Sequence, residues 1–134
     1  MDNNQKIEKL PKNFKEEEEQ LISVGIKSWA SLKKLKDTDL NNLVRVGRST
    51  THNLNLLRGM AQLICDLNIS QKHAALLLHA GFPTVKSLAI SNPQEILDRT
   101  GRLSRILNSE LKTDIHLTKA KEWIQIAKDR QKQY

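Results

Sequence analysis

The chain has 134 residues, of which 38% are apolar and 4% aromatic, and its formal net charge is +7. That length holds about one domain, with a small core built mainly of Leu, Ile, Val and Ala. The longest apolar run, Ala74 to Leu78, is far below the roughly 18 residues that span a bilayer, and the polar start argues against a signal peptide; the single Cys65 rules out an intramolecular disulfide, so a cytoplasmic, reducing setting is expected.

Residues 1–12 are polar and lack periodicity up to Pro11, so they are expected to form a flexible arm. Asn13, with Glu16 three residues on, has the form of a reciprocal cap for a helix from Phe14 to Val24. Glu16 to Glu19 then fall in its first turns, where the positive helix end favours carboxylates. Gly25 closes this helix, and Ser28 caps a short second one whose apolar side is Trp29, Leu32 and Leu35. Thr38 is placed to cap a third, carrying Leu40, Leu43 and Val44. The turn Val46-Gly47-Arg48-Ser49-Thr50 leads into a long helix from Thr50 to Leu67. Its apolar rows, Leu54, Leu57, Ala61 and Ile64 beside Leu56, Met60, Leu63 and Leu67, cover so wide an arc that it should be buried from both sides.

Ser70 caps a helix through His73 to Ala80 that breaks at Gly81, and Thr84 caps Val85 to Ile90. Asn92-Pro93, a cap followed by proline, opens Gln94 to Arg99. Thr100-Gly101-Arg102 stands where the first half has Val46-Gly47-Arg48. A divergent segment through Leu117, containing Ile106, Leu107, Leu111 and Ile115, precedes a last helix from Thr118 to Lys132 with Ala120, Trp123, Ile124 and Ala127 on its inner face.

The two halves repeat one another. Leu21, Val24, Gly25, Ile26, Ser28, Leu32 and Leu40 recur 56 residues later as Leu77, Ala80, Gly81, Phe82, Thr84, Leu88 and Ile96. A fixed offset means one supersecondary unit used twice. The expected fold is all-α: a single domain over 13–134, in which two helix-hairpin-helix repeats of SAM-like layout, 13–67 and 68–134, form a pseudo-duplicate around the long central helix.

A helix-hairpin-helix turn holds nucleic-acid backbone because its glycines leave amides unpaired at a helix N-terminus, where phosphate oxygens accept them. Leu40, Leu43, Val46, Gly47 and Leu54 fill the places of that pattern. Arg45 replaces the first glycine and Thr51 the alanine. Arg45 and Arg48 flank the turn and would add charge-assisted phosphate contacts. Arg99, Arg102 and Arg105 form a second basic run, although the glycine pattern fails further there. Residues 1–20 carry a net −2, with Lys6, Lys9, Lys12 and Lys15 against Asp2, Glu8 and Glu16 to Glu19, which leaves +9 on the remainder. Such a body favours polyanionic partners.

Leu21-x-x-Val24-Gly25-Ile26-x-Ser28-x-x-x-Leu32 through Gly47-x-Ser49 resembles the C-terminal domain of the RNA polymerase alpha subunit. The resemblance implies contacts to minor groove and phosphates from Arg45, Gly47, Arg48, Ser49 and Thr50. The tandem arrangement, with Ala-Gly-Phe-x-Thr-x-x-x-Leu-Ala at Ala80 to Ala89 and the ending around Trp123 and Ile124, is more similar to a little-characterised family of tandem helix-hairpin-helix proteins found mainly in photosynthetic bacteria. That family carries no agreed activity.

Nothing in the chain points to catalysis. His52, His73, His79 and His116 are dispersed without metal-ligand spacing, and no glycine-rich phosphate loop is present. No enzyme activity, cofactor or metal is expected. The reading is a non-enzymatic module that binds nucleic-acid backbone, DNA ahead of RNA, with little sequence preference. The alternative is a scaffold that holds a partner protein on a helical face, with the 106–117 segment as a contact surface.

Overall fold

The computed structural model describes residues 5–106 and 116–131. The fold is all-α. A 3-10 turn, Lys12–Phe14, precedes α1 (Lys15–Ser23), α2 (Trp29–Lys33), α3 (Asp37–Val46), α4 (Thr51–Leu67), α5 (Gln71–His79), α6 (Val85–Ala89), α7 (Pro93–Ile106) and α8 (Leu117–Gln131).

Local chemistry sets most of these boundaries. The hydroxyls of Ser28, Thr50, Ser70 and Thr84 each accept the amide three residues on, satisfying donors that the first turn leaves unpaired. α1 and α5 end alike: Gly25 has φ +83° and Gly81 φ +98°, and the next amide reaches back, Ile26 to the Leu21 carbonyl at 2.9 Å and Phe82 to that of Leu77 at 2.8 Å. A left-handed glycine followed by such a bond is the Schellman stop.

α4 is the centre of the molecule. α2, α3, α5, α6 and α8 all pack on it, and Leu54, Leu57, Ala61, Leu63 and Ile64 have no exposed surface. α8 closes the second half by lying across α6 and α7, with Ala120, Trp123, Ile124 and Ala127 buried.

The structure corrects four expectations. Asn13 does not cap α1; it lies in the 3-10 turn, and its carbonyl accepts from Asn53 Nδ2 at 3.0 Å. α3 starts before Thr38, because the Asp39 carboxylate takes the Lys36 amide at 2.8 Å. The arm expected over 1–12 is tied down from Gln5 onward by hydrogen bonds to the body, and Leu10 is buried. Finally, α7 runs through Thr100-Gly101-Arg102 without a turn. The Thr100 hydroxyl, buried, donates to the Ile96 carbonyl at 2.7 Å and is satisfied inside the helix.

A glycine inside a continuous helix with open space around it should be improvable. Nothing lies within 4 Å of where a Gly101 Cβ would sit. Gly101→Ala is expected to raise stability by about 1 kcal/mol through helix propensity, read from urea unfolding followed by circular dichroism. A loss instead would mean that the backbone needs glycine there. The divergent segment, Leu111 included, lies mostly outside the described residues.

Candidate functional site

The turn between α3 and α4, the expected phosphate-binding hairpin, is filled from within. Glu17 and Leu21 are the buried residues of α1, following buried Phe14 at the end of the 3-10 turn, and Glu17 has 1% of its surface exposed. Its carboxylate accepts the Thr50 amide at 2.8 Å and Asn53 Nδ2 at 3.2 Å. It therefore sits at the positive end of α4, where an external anion would otherwise be held. One helical turn further along, Gln20 Nε2 donates to the Leu43 carbonyl at 2.7 Å, and Gln20 Oε1 accepts the Ser49 hydroxyl. A Cβ at Gly47 would come within 2.7 Å of Gln20 Cδ. A side chain at this position would have to displace the Gln20 amide from its contacts with Leu43 and Ser49; the backbone itself is extended, at φ −137°.

Of the residues expected to meet nucleic acid here, Ser49 is buried against Gln20, Gly47 is pressed by the same side chain, and the Thr50 amide is engaged by Glu17. Arg45 and Arg48 remain exposed, Arg45 bonding Asn42 Oδ1 at 3.0 Å. Arg99, Arg102 and Arg105 lie on a different element, one helical stretch of α7. Arg99 pairs with Glu95 at 2.7 Å and lies over the Phe82 ring, 5.2 Å from its centroid. Arg102 is exposed.

Other chemically capable groups have structural partners. Trp29 and Trp123 are buried and present no ring for base stacking. His73 packs edge-on against Trp123, 5.5 Å between centroids. Among the described residues, no three His, Cys, Asp or Glu side chains cluster as metal ligands would. Burial pushes the Cys65 thiol above its ordinary value, with Lys33 pulling the other way and Asp66 adding to the rise. A thiol so raised stays protonated at neutral pH and is a poor nucleophile.

An open groove of about 520 Å³, largely apolar, lies between residues 6–9 and the α1 end of the molecule. Its apolar floor is Ile7, Leu21, Ile22 and Ile26, and Lys6, Lys9 and Lys27 stand on its rim with Glu8 and Glu18. Ile22 is 57% exposed and Val24, two residues on, 51%. The far wall is the arm, which pairs with the chain ahead of α2: Ile7 N donates to the Lys27 carbonyl at 2.9 Å and Trp29 N to that of Gln5 at 3.0 Å. Gln71 holds the Glu8 peptide from the other side, its Oε1 accepting Glu8 N at 2.8 Å and its Nε2 donating to Glu8 O at 3.3 Å.

Sequence reasoning missed Glu17, Gln20, Ile22 and Gln71. The spacing of Phe14, Glu17 and Leu21 did carry a signal, since i, i+3 and i+7 share one helical face; the run of four glutamates obscured it. Ile22 stands off that stripe, as an outward aliphatic does. Gln71 had none, because a glutamine at the start of a helix reads as a surface residue.

These features define an all-α protein packed on one central helix, with a closed turn between α3 and α4 and an open apolar groove. The family model described as Domain of unknown function (DUF4332) matches residues 11–130, and the chain belongs to that family. No curated protein and no solved structure matches it. Among the described residues, no helix is long and apolar enough to cross a membrane.

Proposed function

We propose that the chain is a non-enzymatic adaptor that holds a partner protein in the groove between residues 6–9 and α1. The observation that carries this reading is the groove itself, an aliphatic floor with Ile22 more than half exposed beside a lysine rim. An aliphatic groove edged by charge, with one exposed isoleucine at its mouth, is a surface on which an apolar side chain of a partner can seat. The lysines favour a partner segment that is apolar with acidic flanks. The protonated Cys65 suits a reducing cytoplasmic setting.

A second reading is carried by Arg45 and Arg48, which stay exposed beside the closed turn. Here the chain is a tandem helix-hairpin-helix module gripping nucleic-acid backbone, DNA ahead of RNA, as the resemblance of residues 21–49 to the RNA polymerase alpha C-terminal domain suggests. The matching Schellman stops of α1 and α5 support the tandem part of this reading. With Glu17 on the Thr50 amide, its grip would come from side chains rather than from the helix terminus.

The readings separate under mutation. In affinity capture from the native cell with nuclease added, the adaptor is expected to retain a defined protein. Ile22→Asp is expected to lose it, and Arg45→Ala with Arg48→Ala to keep it. The reverse pattern, with mobility shifts on mixed-sequence DNA that weaken by a log–log salt slope near −0.9 for each phosphate contact, would establish the nucleic-acid reading instead.

A further inference from the structure

Residues 5–10 are held as a domain holds a foreign peptide. The segment makes no helix of its own, and its main-chain groups are met by the body: the Gln5 carbonyl by Trp29 N, Ile7 N by the Lys27 carbonyl, both polar groups of Glu8 by the Gln71 amide, and Leu10 N by Glu18 Oε2 at 2.7 Å. Reading an extended segment through its backbone, here by a single antiparallel bridge of Lys6 to Ser28 on one edge and an amide clamp on the other, follows the logic of β-strand addition. Two side chains anchor it: Ile7 is half-buried, and Leu10 is 6% exposed in the core cluster. Glu8 and Lys9 between them face solvent.

We propose that residues 5–10 are a displaceable ligand carried by the chain, and that their seat accepts an extended segment of a partner protein in their place. The partner segment would carry an aliphatic side chain at the position of Ile7 and another three residues on, at that of Leu10. This deepens the adaptor reading and rests on it: the arm is one wall of the groove, so a partner segment taking its place would rebuild that wall against Leu21, Ile22 and Ile26, with Lys27 left on the rim. The seat is built to persist when the arm leaves. Gln71 Oε1 also accepts the Trp29 indole N–H at 3.1 Å, so the clamp stays oriented by a fully buried ring. Pro11, which has no amide to lose, joins the arm to the 3-10 turn.

The probe is a capped synthetic peptide of residues 5–10, offered to the full chain. In the wild type the arm competes at an effective concentration in the range of about 1 mM, so the peptide should bind at least about tenfold more weakly than to a chain carrying Ile7→Ala and Leu10→Ala. Binding is read from the Trp29 indole proton resonance. Adding Gln71→Ala to that chain is expected to abolish it. A folded double variant that ignores the peptide, or binding indifferent to Gln71→Ala, overturns the proposal. Should the double variant fail to fold, amide exchange in the wild type decides. Ile7, Leu10 and Trp29 amides are expected to exchange by a local opening, faster than those of Leu57 and Ala61 in α4, and exchange only through global unfolding refutes a displaceable arm. Peptide binding without capture of any protein would leave the seat standing and sink the adaptor reading; capture through Ile22 without peptide binding would do the opposite.

Discussion

Lys33→Ala is expected to destabilise the protein by about 3 kcal/mol, because it takes the cation away from a buried carboxylate. Lys33 Nζ meets Asp66 Oδ1 at 2.6 Å, joining α2 to the last turn of α4, and the Asp66 side chain is only 4% exposed. A negative charge near a helix C-terminus is already disfavoured by the helix dipole. The pair is asymmetric, since the Lys33 side chain is 35% exposed and can turn to water. Asp66→Asn should therefore cost less, about 1 kcal/mol. Replacing the pair together, Lys33→Met with Asp66→Leu, should recover most of the loss, as apolar isosteres of buried ion pairs do. Urea unfolding of the single and double variants gives these values directly. A cost below about 1 kcal/mol for Lys33→Ala would show that Asp66 is stabilised chiefly by its other neighbours.

Glu17→Ala is the second large effect, also about 3 kcal/mol. The substitution removes the acceptor of the Thr50 amide and one acceptor of Asn53, contacts made by a buried side chain, and it takes a carboxylate from the positive end of α4. Glu17→Gln keeps an oxygen in place and should cost about half as much. Sulfate or phosphate should then return part of the stability to Glu17→Ala while leaving the wild type unchanged, since the vacated helix terminus becomes an anion site. The same variant tests the function. If Arg45 and Arg48 approach phosphates, removing Glu17 frees the Thr50 amide at the same turn and should tighten nucleic-acid binding. No change on removal of Glu17 would count against any phosphate contact at this turn.

A closed turn and an open groove sit on opposite uses of α1. Its inner side supplies Glu17 and Gln20 to the α3–α4 turn, while Ile22 faces the groove. Two glutamates of the acidic run answer to different neighbours: Glu17 serves the start of α4, and Glu18 serves the arm through the Leu10 amide. The run would have looked, from α1 alone, like an optimised first turn. Two of its members are committed to contacts that α1 does not define.

What could be read along the chain was local. The caps at Ser28, Ser70 and Thr84, the glycine stops at 25 and 81, the apolar arc of the Thr51–Leu67 helix and the inner face of the last helix all depend on residues close along the chain, and the structure has each of them, whereas the cap expected at Thr38 gave way to Lys36 and Asp39. The continuity of α7 through Gly101 went unread for a related reason: glycine is a weak breaker, and the Thr100 side chain is satisfied within the helix. The candidate site depends on longer reach. Glu17 finds Thr50 across 33 residues, and Gln71 finds Glu8 across 63. No periodicity encodes such a meeting, because it arises only after α4 has gathered the other helices around it and the lowest-energy partner for each buried polar group is whichever one the packing has brought within 3 Å or so. The helices of this protein follow from its sequence as a string of short-range preferences; the occupied hairpin, the seated arm and the groove between arm and α1 follow from how those helices pack.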